Sequence, residues 1–297
     1  MKKAFIQLHI AVFLAGFTGI LGKLITLNEG LLVWYRLLIS AASLWIIALL
    51  RRRISRISSG AMVKIFGIGA VAALHWVSFY GSIKLANVSI ALVCFSAIGF
   101  FTAILEPIIF KQKFHRRELL LGILVMIGIS FIFQFDPRYR QGILVGIIAA
   151  ILGSIFPILS RKLLQQFDAE TVTLYELSGG LIFLSLLLPV YLKLFPTQYL
   201  IPDGHDLFWL LILSWICTVV AFSLSMNALR KISAFTVNLT FNLEPIYGIM
   251  LAFFIFREDK FLGPGFYAGL SLIFLAIVLQ MAALYRENGK NFSSKKV

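Results

Sequence analysis

The chain has 297 residues, of which 60% are hydrophobic and 13% are charged, and its mean hydropathy is +0.94. Soluble domains contain about 45–50% apolar and about 25% charged residues, so this composition excludes an ordinary water-soluble globule and a disordered chain. One helix needs about 20 apolar residues to cross the hydrocarbon core of a bilayer. The sequence therefore predicts an all-α integral membrane protein with many crossings.

The net charge of +14 results from 27 Lys and Arg residues against 13 Asp and Glu residues. In a soluble protein this balance would suggest nucleic-acid binding. Here most basic residues lie in short connections between apolar runs, where they contact lipid headgroups. We expect membrane lipids and no nucleic acid as partners. Cys94 and Cys217 lie inside apolar runs without metal-binding or redox spacing, and we expect no metal and no cofactor.

Ten apolar runs separated by basic, Pro/Gly or polar clusters predict ten transmembrane helices. The first run continues well beyond the length of a signal peptide, so we interpret it as an uncleaved first span. Most Lys and Arg residues fall in the segments on the side of Lys2 and Lys3, which predicts a multi-pass protein of the cell membrane with both termini in the cytoplasm. The runs cover residues 5–26, 31–50, 64–83, 88–110, 119–135, 141–160, 171–193, 207–229, 233–256 and 263–285.

The two halves of the chain resemble each other weakly. Residues Tyr80–Ser89, at the joint between the third and fourth runs, parallel Leu224–Ser233 between the eighth and ninth. Because each half has five helices, the second copy enters the membrane from the opposite side. The pattern predicts two inverted five-helix repeats, residues 5–135 and 141–285, followed by a cytoplasmic tail, residues 286–297.

Glu244 is the most deeply placed carboxylate. It lies near the middle of the ninth run, where an ionised side chain costs at least about 2.5–3.5 kcal/mol unless it is paired or hydrated. Pro245 would kink the helix or open a polar break in it, and Asn238 and Asn242 lie one turn apart on the same run. We interpret Glu244 as a substrate-site or proton-linked carboxylate; the alternative is a structural carboxylate bonded to a neighbouring helix.

His75 lies about midway along the third run, with Ser78 on the same face. Trp76 and Tyr80 form a second stripe of the same helix. Aromatic rings and small hydroxyl groups suit organic solutes that combine an apolar body with a polar group. A cavity role for His75 stands beside the alternative of a satisfied interhelical hydrogen bond.

Two further ionisable residues occupy corresponding places in the two halves. Arg36 lies early in the second run and Glu176 early in the seventh. They could close gates on opposite faces, or Arg36 could hold an anionic group such as a carboxylate. The alternative is that both side chains extend towards the membrane surfaces.

The chain lacks common enzyme signatures. The chain contains no HExxH, P-loop, GxSxG or GxGD motif and no segment long enough for a nucleotide-binding domain. We therefore expect no enzyme, no catalytic residues and no ATP-driven pump within this chain. Two alternatives from other classes remain, an intramembrane enzyme acting on lipid-linked substrates and a membrane scaffold or sensor without flux.

Three segments together resemble a known family. They are Tyr35-Arg36, Lys84-Leu-Ala-Asn-Val-Ser-Ile-Ala-Leu92, and the stretch Leu243–Glu258 that leads into Gly269. With these segments the chain resembles the EamA-type members of the drug/metabolite transporter superfamily over about residues 5–285. The resemblance implies ten helices in two inverted repeats, a central cavity, and alternating access for amino acids or related metabolites, often in export.

The chain departs from the family pattern after the fourth helix, where Phe110-Lys-Gln-Lys113 replaces a Gly-Glu pair. Glu258 matches the second-half glutamate of the family, for which we expect a structural role. The expected function is a secondary transporter, acting as an exporter of small organic metabolites with amino acids or aromatic compounds favoured. The proton is the candidate coupling ion, and both a monomer and a homodimer are open. The expected substrate-binding residues are His75, Ser78, Asn238, Asn242 and Glu244, and the expected gating residues are Arg36 and Glu176.

Overall fold

The computed structural model describes residues 2–51, 57–241 and 243–293. Within these ranges every regular element is helical, which confirms the predicted all-α class. The first half contains α1 (Lys2–Ala15), α2 (Thr18–Leu24), α3 (Glu29–Leu50), α4 (Ser59–Leu85), α5 (Val88–Phe95), α6 (Ile98–Phe110) and α7 (Arg116–Phe135). The second half contains α8 (Arg140–Leu163), α9 (Ala169–Leu194), α10 (Gly204–Ser214), α11 (Ala221–Leu229), α12 (Ala234–Phe241), α13 (Glu244–Phe256) and α14 (Pro264–Ser293).

The described helices form ten crossings, as predicted. Four crossings consist of more than one helix: α1 with α2, α5 with α6, α10 with α11, and α12 with α13. A π-helical segment, Trp215–Val220, joins α10 to α11. Eight crossings are long and apolar enough to span a bilayer by themselves, and the remaining two contain the shorter apolar helices Glu244–Phe256 and Pro264–Gln280.

Polar side chains determine where several crossings begin. A side-chain oxygen of the residue before the helix accepts a hydrogen bond from a backbone N–H of the first turn, which would otherwise lack a partner. These capping residues are Asn28, Ser58, Asn87, Asp168 and Asp203. Because an unpaired N–H is costly in a membrane, the caps favour helix starts at these positions.

Successive crossings run in opposite directions, so the bundle has two ends. We call the end where α1 begins the amino-terminal end; α11 ends and α12 begins there too. The other end, where α2 ends and α5 begins, is the opposite end. Polar contacts between different crossings cluster at the opposite end: Thr26 with Asp206, Lys84 with the carbonyl of Leu27, Tyr191 with Glu29, and Lys23 with Glu258.

Glycines allow the central helices to pack with their backbones in contact. α4 packs against both α8 and α9. A Cβ atom added at Gly69 of α4 would lie 2.0 Å from the carbonyl oxygen of Glu176 and 2.8 Å from the backbone nitrogen of Gly180, both on α9. Such close approach between small residues is a common basis of helix association in membranes. It holds α9 directly against α4.

Candidate functional site

A cavity with a volume of about 100 Å³ lies between the two halves of the bundle. Most crossings contribute to its wall, which is largely apolar and aromatic with a few polar groups, as in many small-molecule sites. Its lining residues are Ala15, Thr18, Arg36, His75, Trp76, Phe79, Phe95, Ile98, Gly153, Phe156, Pro157, Cys217, Ala221, Phe222, Ser225, Met226, Leu229, Val237, Phe241 and Glu244.

Arg36 supplies the cationic group of the cavity. Its side chain is buried, its Nε donates a hydrogen bond to the Thr218 hydroxyl at 2.7 Å, and its Nη1 donates to the Tyr80 hydroxyl at 2.8 Å. The guanidinium carbon also lies 4.2 Å from the centre of the Trp76 ring, a cation–π contact. These neutral partners orient the guanidinium group without cancelling its charge.

Glu244 supplies the carboxyl group of the cavity. It is buried, and it forms the first residue of α13, with Pro245 in the first turn. Arg36 and Glu244 both line the cavity. Among the described side chains, however, no hydrogen bond or ion pair joins Arg36 to Glu244. A guanidinium group and a carboxyl group therefore line one cavity without a direct hydrogen bond between them.

The π-helical segment Trp215–Val220 places two residues in this region. Cys217 lines the cavity, and Thr218 accepts the hydrogen bond from Arg36 while its own hydroxyl donates to the Leu213 carbonyl at 2.8 Å. π-helical turns inside α-helices occur frequently at functional sites. Here the widened turn positions the Thr218 hydroxyl beneath the guanidinium group.

His75 combines both roles that the sequence left open. Its Nδ1 lies 2.7 Å from the backbone carbonyl oxygen of Ala149 on α8. Because a carbonyl oxygen only accepts, Nδ1 is the donor, and in a neutral ring Nε2 is then an acceptor. The ring also lines the cavity and lies 5.8 Å, centroid to centroid, from Phe156 and 5.9 Å from Phe95. Gly153 also lines the cavity, and a Cβ atom there would come within 2.9 Å of the imidazole.

Aromatic rings form much of the remaining wall. Phe222 is stacked on Phe156 at a centroid distance of 6.2 Å, and its edge contacts Trp76 at 5.9 Å. Because Trp76 contacts both Phe222 and the guanidinium group of Arg36, the charged group lies directly beside the apolar wall. The arrangement suits a solute with a charged head and an apolar or aromatic body.

The structure brings only some of the predicted residues together. Arg36, His75 and Glu244 line the same cavity, whereas Ser78 lies on α4 outside the lining set. Asn242 and the side chain of Asn238 lie outside the residues that the structure describes.

Glu176 lies apart from the cavity. It is buried between α8 and α9, where its Oε1 accepts a hydrogen bond from the Ser160 hydroxyl at 2.6 Å. Its Oε2 has no hydrogen-bond partner among the described residues. Arg36 and Glu176 thus occupy different environments, although they hold corresponding positions in the two halves.

The sequence did not predict several residues of the site. Cys217, Phe156 and Phe222 look like ordinary members of apolar runs, and Thr218 is one of several hydroxyl residues in its run. The only local signal is the placement of small or aromatic residues on one helix face, which core packing produces equally well. Their convergence depends on contacts between distant crossings.

The cavity extends further towards one end of the bundle. Its lining includes Leu229, the last residue of α11, and Val237, near the start of α12, both at the amino-terminal end. At the opposite end, the contacts of Thr26 with Asp206 at 2.8 and 2.9 Å join separate crossings. The cavity is therefore deeper towards the amino-terminal end.

One possible metal-ligand group lies outside the cavity. Ligand atoms of Asp203, His205 and Asp206 lie within 4.8 Å of one another. Their carboxylate oxygens already accept hydrogen bonds: Asp203 caps α10, and Asp206 accepts from the backbone and hydroxyl of Thr26. These bonds account for the group as a helix cap and an interhelical contact.

A ten-crossing helical bundle of two halves around a buried cavity with a guanidinium and a carboxyl group is the architecture of a membrane transporter. The chain belongs to the EamA-like transporter family, whose family model matches residues 2–134 and again residues 140–282. The family model thus matches each half of the chain once. The predicted family membership is confirmed.

Related proteins carry the same general description. A protein of Haemophilus influenzae named "Uncharacterized transporter" is 22% identical over 163 residues, which cover 52% of this chain and about half, 53%, of that protein. A protein of Helicobacter pylori with the same name is 22% identical over 241 residues, 79% of each chain. One solved structure, described as "Crystal structure of protein", has a TM-score of 0.68 at 16% identity and covers 96% of this chain and 99% of its own, which shows a shared fold.

Proposed function

We propose that the protein is a secondary transporter that exports small organic metabolites, with amino acids or aromatic compounds favoured. The observation that carries this proposal is that the guanidinium group of Arg36 and the carboxyl group of Glu244 line one cavity with aromatic walls. A solute with a carboxylate and an ammonium group could pair with both. A solute with one charge would leave the other buried charge without a partner, which is costly in a low-dielectric site.

The proposed mechanism is alternating access. Residues 5–135 and 141–285 act as two repeats that rock around the cavity. In the proposed orientation both termini are cytoplasmic, and the cavity, deeper at the amino-terminal end, takes up its substrate from the cytoplasm. Glu176, bonded to Ser160, is the proposed gate residue nearer that end, and Arg36 combines binding with gating.

Glu244 is also the proposed site of proton coupling. Its carboxyl group faces the cavity, so protons and substrate could compete for it. His75 remains part of the proposed site through its Nε2 acceptor, while Ser78, Asn238 and Asn242 remain proposals for other conformations or undescribed contacts.

A competition experiment with three matched solutes tests the substrate class. Purified protein in proteoliposomes is assayed for exchange of labelled L-phenylalanine against unlabelled L-phenylalanine, phenethylamine or 3-phenylpropionate. These solutes share the ring and differ in which charged groups they carry. We expect L-phenylalanine to compete at a concentration about tenfold or more lower than either singly charged analogue, because only it satisfies both buried charges. Equal competition by all three would contradict the proposed recognition.

A matched pair of variants tests the role of Glu244. Glu244→Gln should reduce exchange and abolish its dependence on a pH gradient, whereas Glu170→Gln, an exposed carboxylate on α9, should behave like the parent. Unchanged exchange and pH dependence in Glu244→Gln would exclude proton coupling through this residue. Absence of flux for every metabolite tested would favour the scaffold or sensor, and turnover of a lipid-linked substrate would favour the enzyme.

A further inference from the structure

The two halves contain the same broken crossing. α5 and α12 each have 8 residues, and α6 and α13 each have 13. The second helix of each pair ends at a residue in the left-handed region, Lys111 with φ 53° and Arg257 with φ 54°, the two non-glycine residues with positive φ in the described ranges. The difference in residue number between Val88 and Ala234, where the first helices begin, equals that between Lys111 and Arg257, where the second helices end. The repeat is therefore in register throughout this crossing.

The residue after Arg257 makes a dense set of contacts at the opposite end. Glu258 is only 2% exposed. Its Oε2 accepts hydrogen bonds from the backbone N–H of Ser89 at 2.9 Å and from the Ser89 hydroxyl at 2.6 Å, and its Oε1 accepts from the N–H of Val88 at 3.2 Å. Lys23, in the last turn of α2, forms an ion pair with Oε1 at 2.7 Å.

These contacts join the two repeats where the opposite end would have to open. Glu258 belongs to the second half, whereas Lys23, Val88 and Ser89 belong to the first. The carboxylate also lies at the N-terminus of α5, where the unpaired N–H groups and the helix dipole favour a negative charge. The helices it holds, α2 and α5, carry the cavity residues Thr18 and Phe95.

The corresponding position at the amino-terminal end lacks the carboxylate. Gln112 follows Lys111 as Glu258 follows Arg257, and Gln112 is exposed. Arg161 lies in the last turn of α8, as Lys23 lies in the last turn of α2. Arg161 forms an ion pair at 2.8 Å with Glu106 on α6 and not with a residue after the second helix. Ser233 caps α12 by accepting the N–H of Thr236 at 3.1 Å. The broken crossings of the two halves therefore differ in their polar contacts, since a buried carboxylate follows the second helix only at the opposite end.

We propose that Glu258 is a positioning residue for transport, which holds the opposite end shut by binding Lys23 and the start of α5, so that the empty protein rests with its cavity open towards the amino-terminal end. The proposal rests on the proposed alternating access. At the amino-terminal end the natural residue at the equivalent position is Gln112, which has no carboxylate. This end therefore opens more readily than the opposite end.

Cys217 is a native reporter for this inequality because it lines the cavity. With Cys94→Ser as the parent, a membrane-impermeant maleimide is applied to vesicles of each orientation and the labelling rate is measured from each face. We expect the parent to react faster from the face of the amino-terminal end. Glu258→Gln should raise the rate from the opposite face about tenfold, since charge-assisted hydrogen bonds are lost. Gln112→Glu should lower the rate from the amino-terminal face.

Asp259→Asn is the matched control. It removes the same charge one position later, from a carboxylate whose Oδ1 has no hydrogen-bond partner among the described residues, and it should label like the parent. Ser89→Ala and Lys23→Gln each remove one partner of Glu258 and should shift labelling in the same direction by a smaller factor. They keep the test decisive if Glu258→Gln does not fold.

The outcomes separate this proposal from the proposed function. In one outcome, the parent exchanges L-phenylalanine while Glu258→Gln, or both Ser89→Ala and Lys23→Gln, leave the labelling pattern unchanged. This result would overturn the role of Glu258 and would not contradict transport. A shift of labelling in these variants without any metabolite flux would support the role of Glu258 and contradict the transport proposal. A parent that labels equally from both faces, or from neither, would also overturn the inferred resting state.

Discussion

Arg36 shows how a charged residue is accommodated inside this membrane protein. An unpaired cation at mid-bilayer costs at least about 2.5–3.5 kcal/mol, and here two hydroxyl groups and the Trp76 ring surround it. Its sequence position alone allowed a surface-directed side chain. In the structure the side chain of Arg36 does not extend towards the membrane surface, because hydrogen bonds to Thr218 and Tyr80 hold the guanidinium group within the bundle.

Substitutions of Arg36 should separate its charge from its geometry. Arg36→Gln should reduce the initial transport rate by more than about tenfold, since both charge-assisted hydrogen bonds and the cation are lost. Arg36→Lys keeps the charge but lacks the planar fork of donors, and should give an intermediate rate. Tyr80→Phe removes one acceptor and should have the smallest effect. A parent-like rate in Arg36→Gln would show that the cation is dispensable.

Asp168 provides a test at the start of α9, outside the spanning segment. Burial acts to raise the pKa of its carboxyl, but hydrogen bonds from the backbone and hydroxyl of Thr171 outweigh it and hold the pKa below its ordinary value. A lowered pKa in the folded state stabilises the protein above the ordinary value of about 4, and this contribution is lost as pH falls through the lowered pKa.

Asp168→Ala should therefore lower the free energy of unfolding at neutral pH by about 0.5–2 kcal/mol, the usual effect of losing an N-cap. The difference from the parent should shrink in acid as the parent carboxyl is protonated. Thermal unfolding in detergent across a pH series measures both effects. Glu170→Ala, two positions later and exposed, is the control, and a pH-independent difference for Asp168→Ala would contradict the cap.

At the scale of elements, the close contact of α4 with α9 should be sensitive to a single methyl group. Gly69→Ala would place Cβ 2.0 Å from a backbone oxygen, so the helices must separate. We expect destabilisation of at least about 1–3 kcal/mol, typical of overpacking, seen as a lower unfolding temperature. Gly67→Ala, on the same helix but with nothing within 4 Å, should be neutral. Equal stabilities of the two variants would contradict the described crossing.

The interrupted crossings show where sequence reasoning about elements succeeded and where it stopped. Pro245 indicates an interruption in the ninth crossing, and α13 begins at Glu244 beside it. The equivalent interruption after Phe95 has no proline, and the sequence predicted a continuous helix over 88–110. The two helices share α8 as a neighbour but differ in the others, since α5 packs against α13 and α4 whereas α6 packs against α7 and α12.

For the whole molecule, an even number of crossings places both termini on one side of the membrane. The positive-inside pattern predicts that this side is the cytoplasm. Green fluorescent protein fused to either terminus should fluoresce, and alkaline phosphatase inserted in the connection 195–203 between α9 and α10 should be active outside the cell. Phosphatase activity at either terminus would contradict the proposed orientation.

The sequence by itself determined the membrane class, the ten crossings and the position of Glu244 and His75 near the middle of their runs. These properties depend on local composition and on the cost of placing polar groups in hydrocarbon, both of which are readable along one run. The family resemblance rests on the same local patterns, and the family match confirmed it.

Only the tertiary structure decided which polar residues meet. Arg36 contacts Thr218, and Glu258 contacts Lys23 and Ser89, across long stretches of chain. Apolar helices carry little information about their neighbours in lipid, because packing of small residues and interhelical hydrogen bonds selects the partners. The cavity and the unequal ends of the bundle are therefore properties of the assembled repeats, for the physical reason that they depend on contacts between crossings distant in sequence.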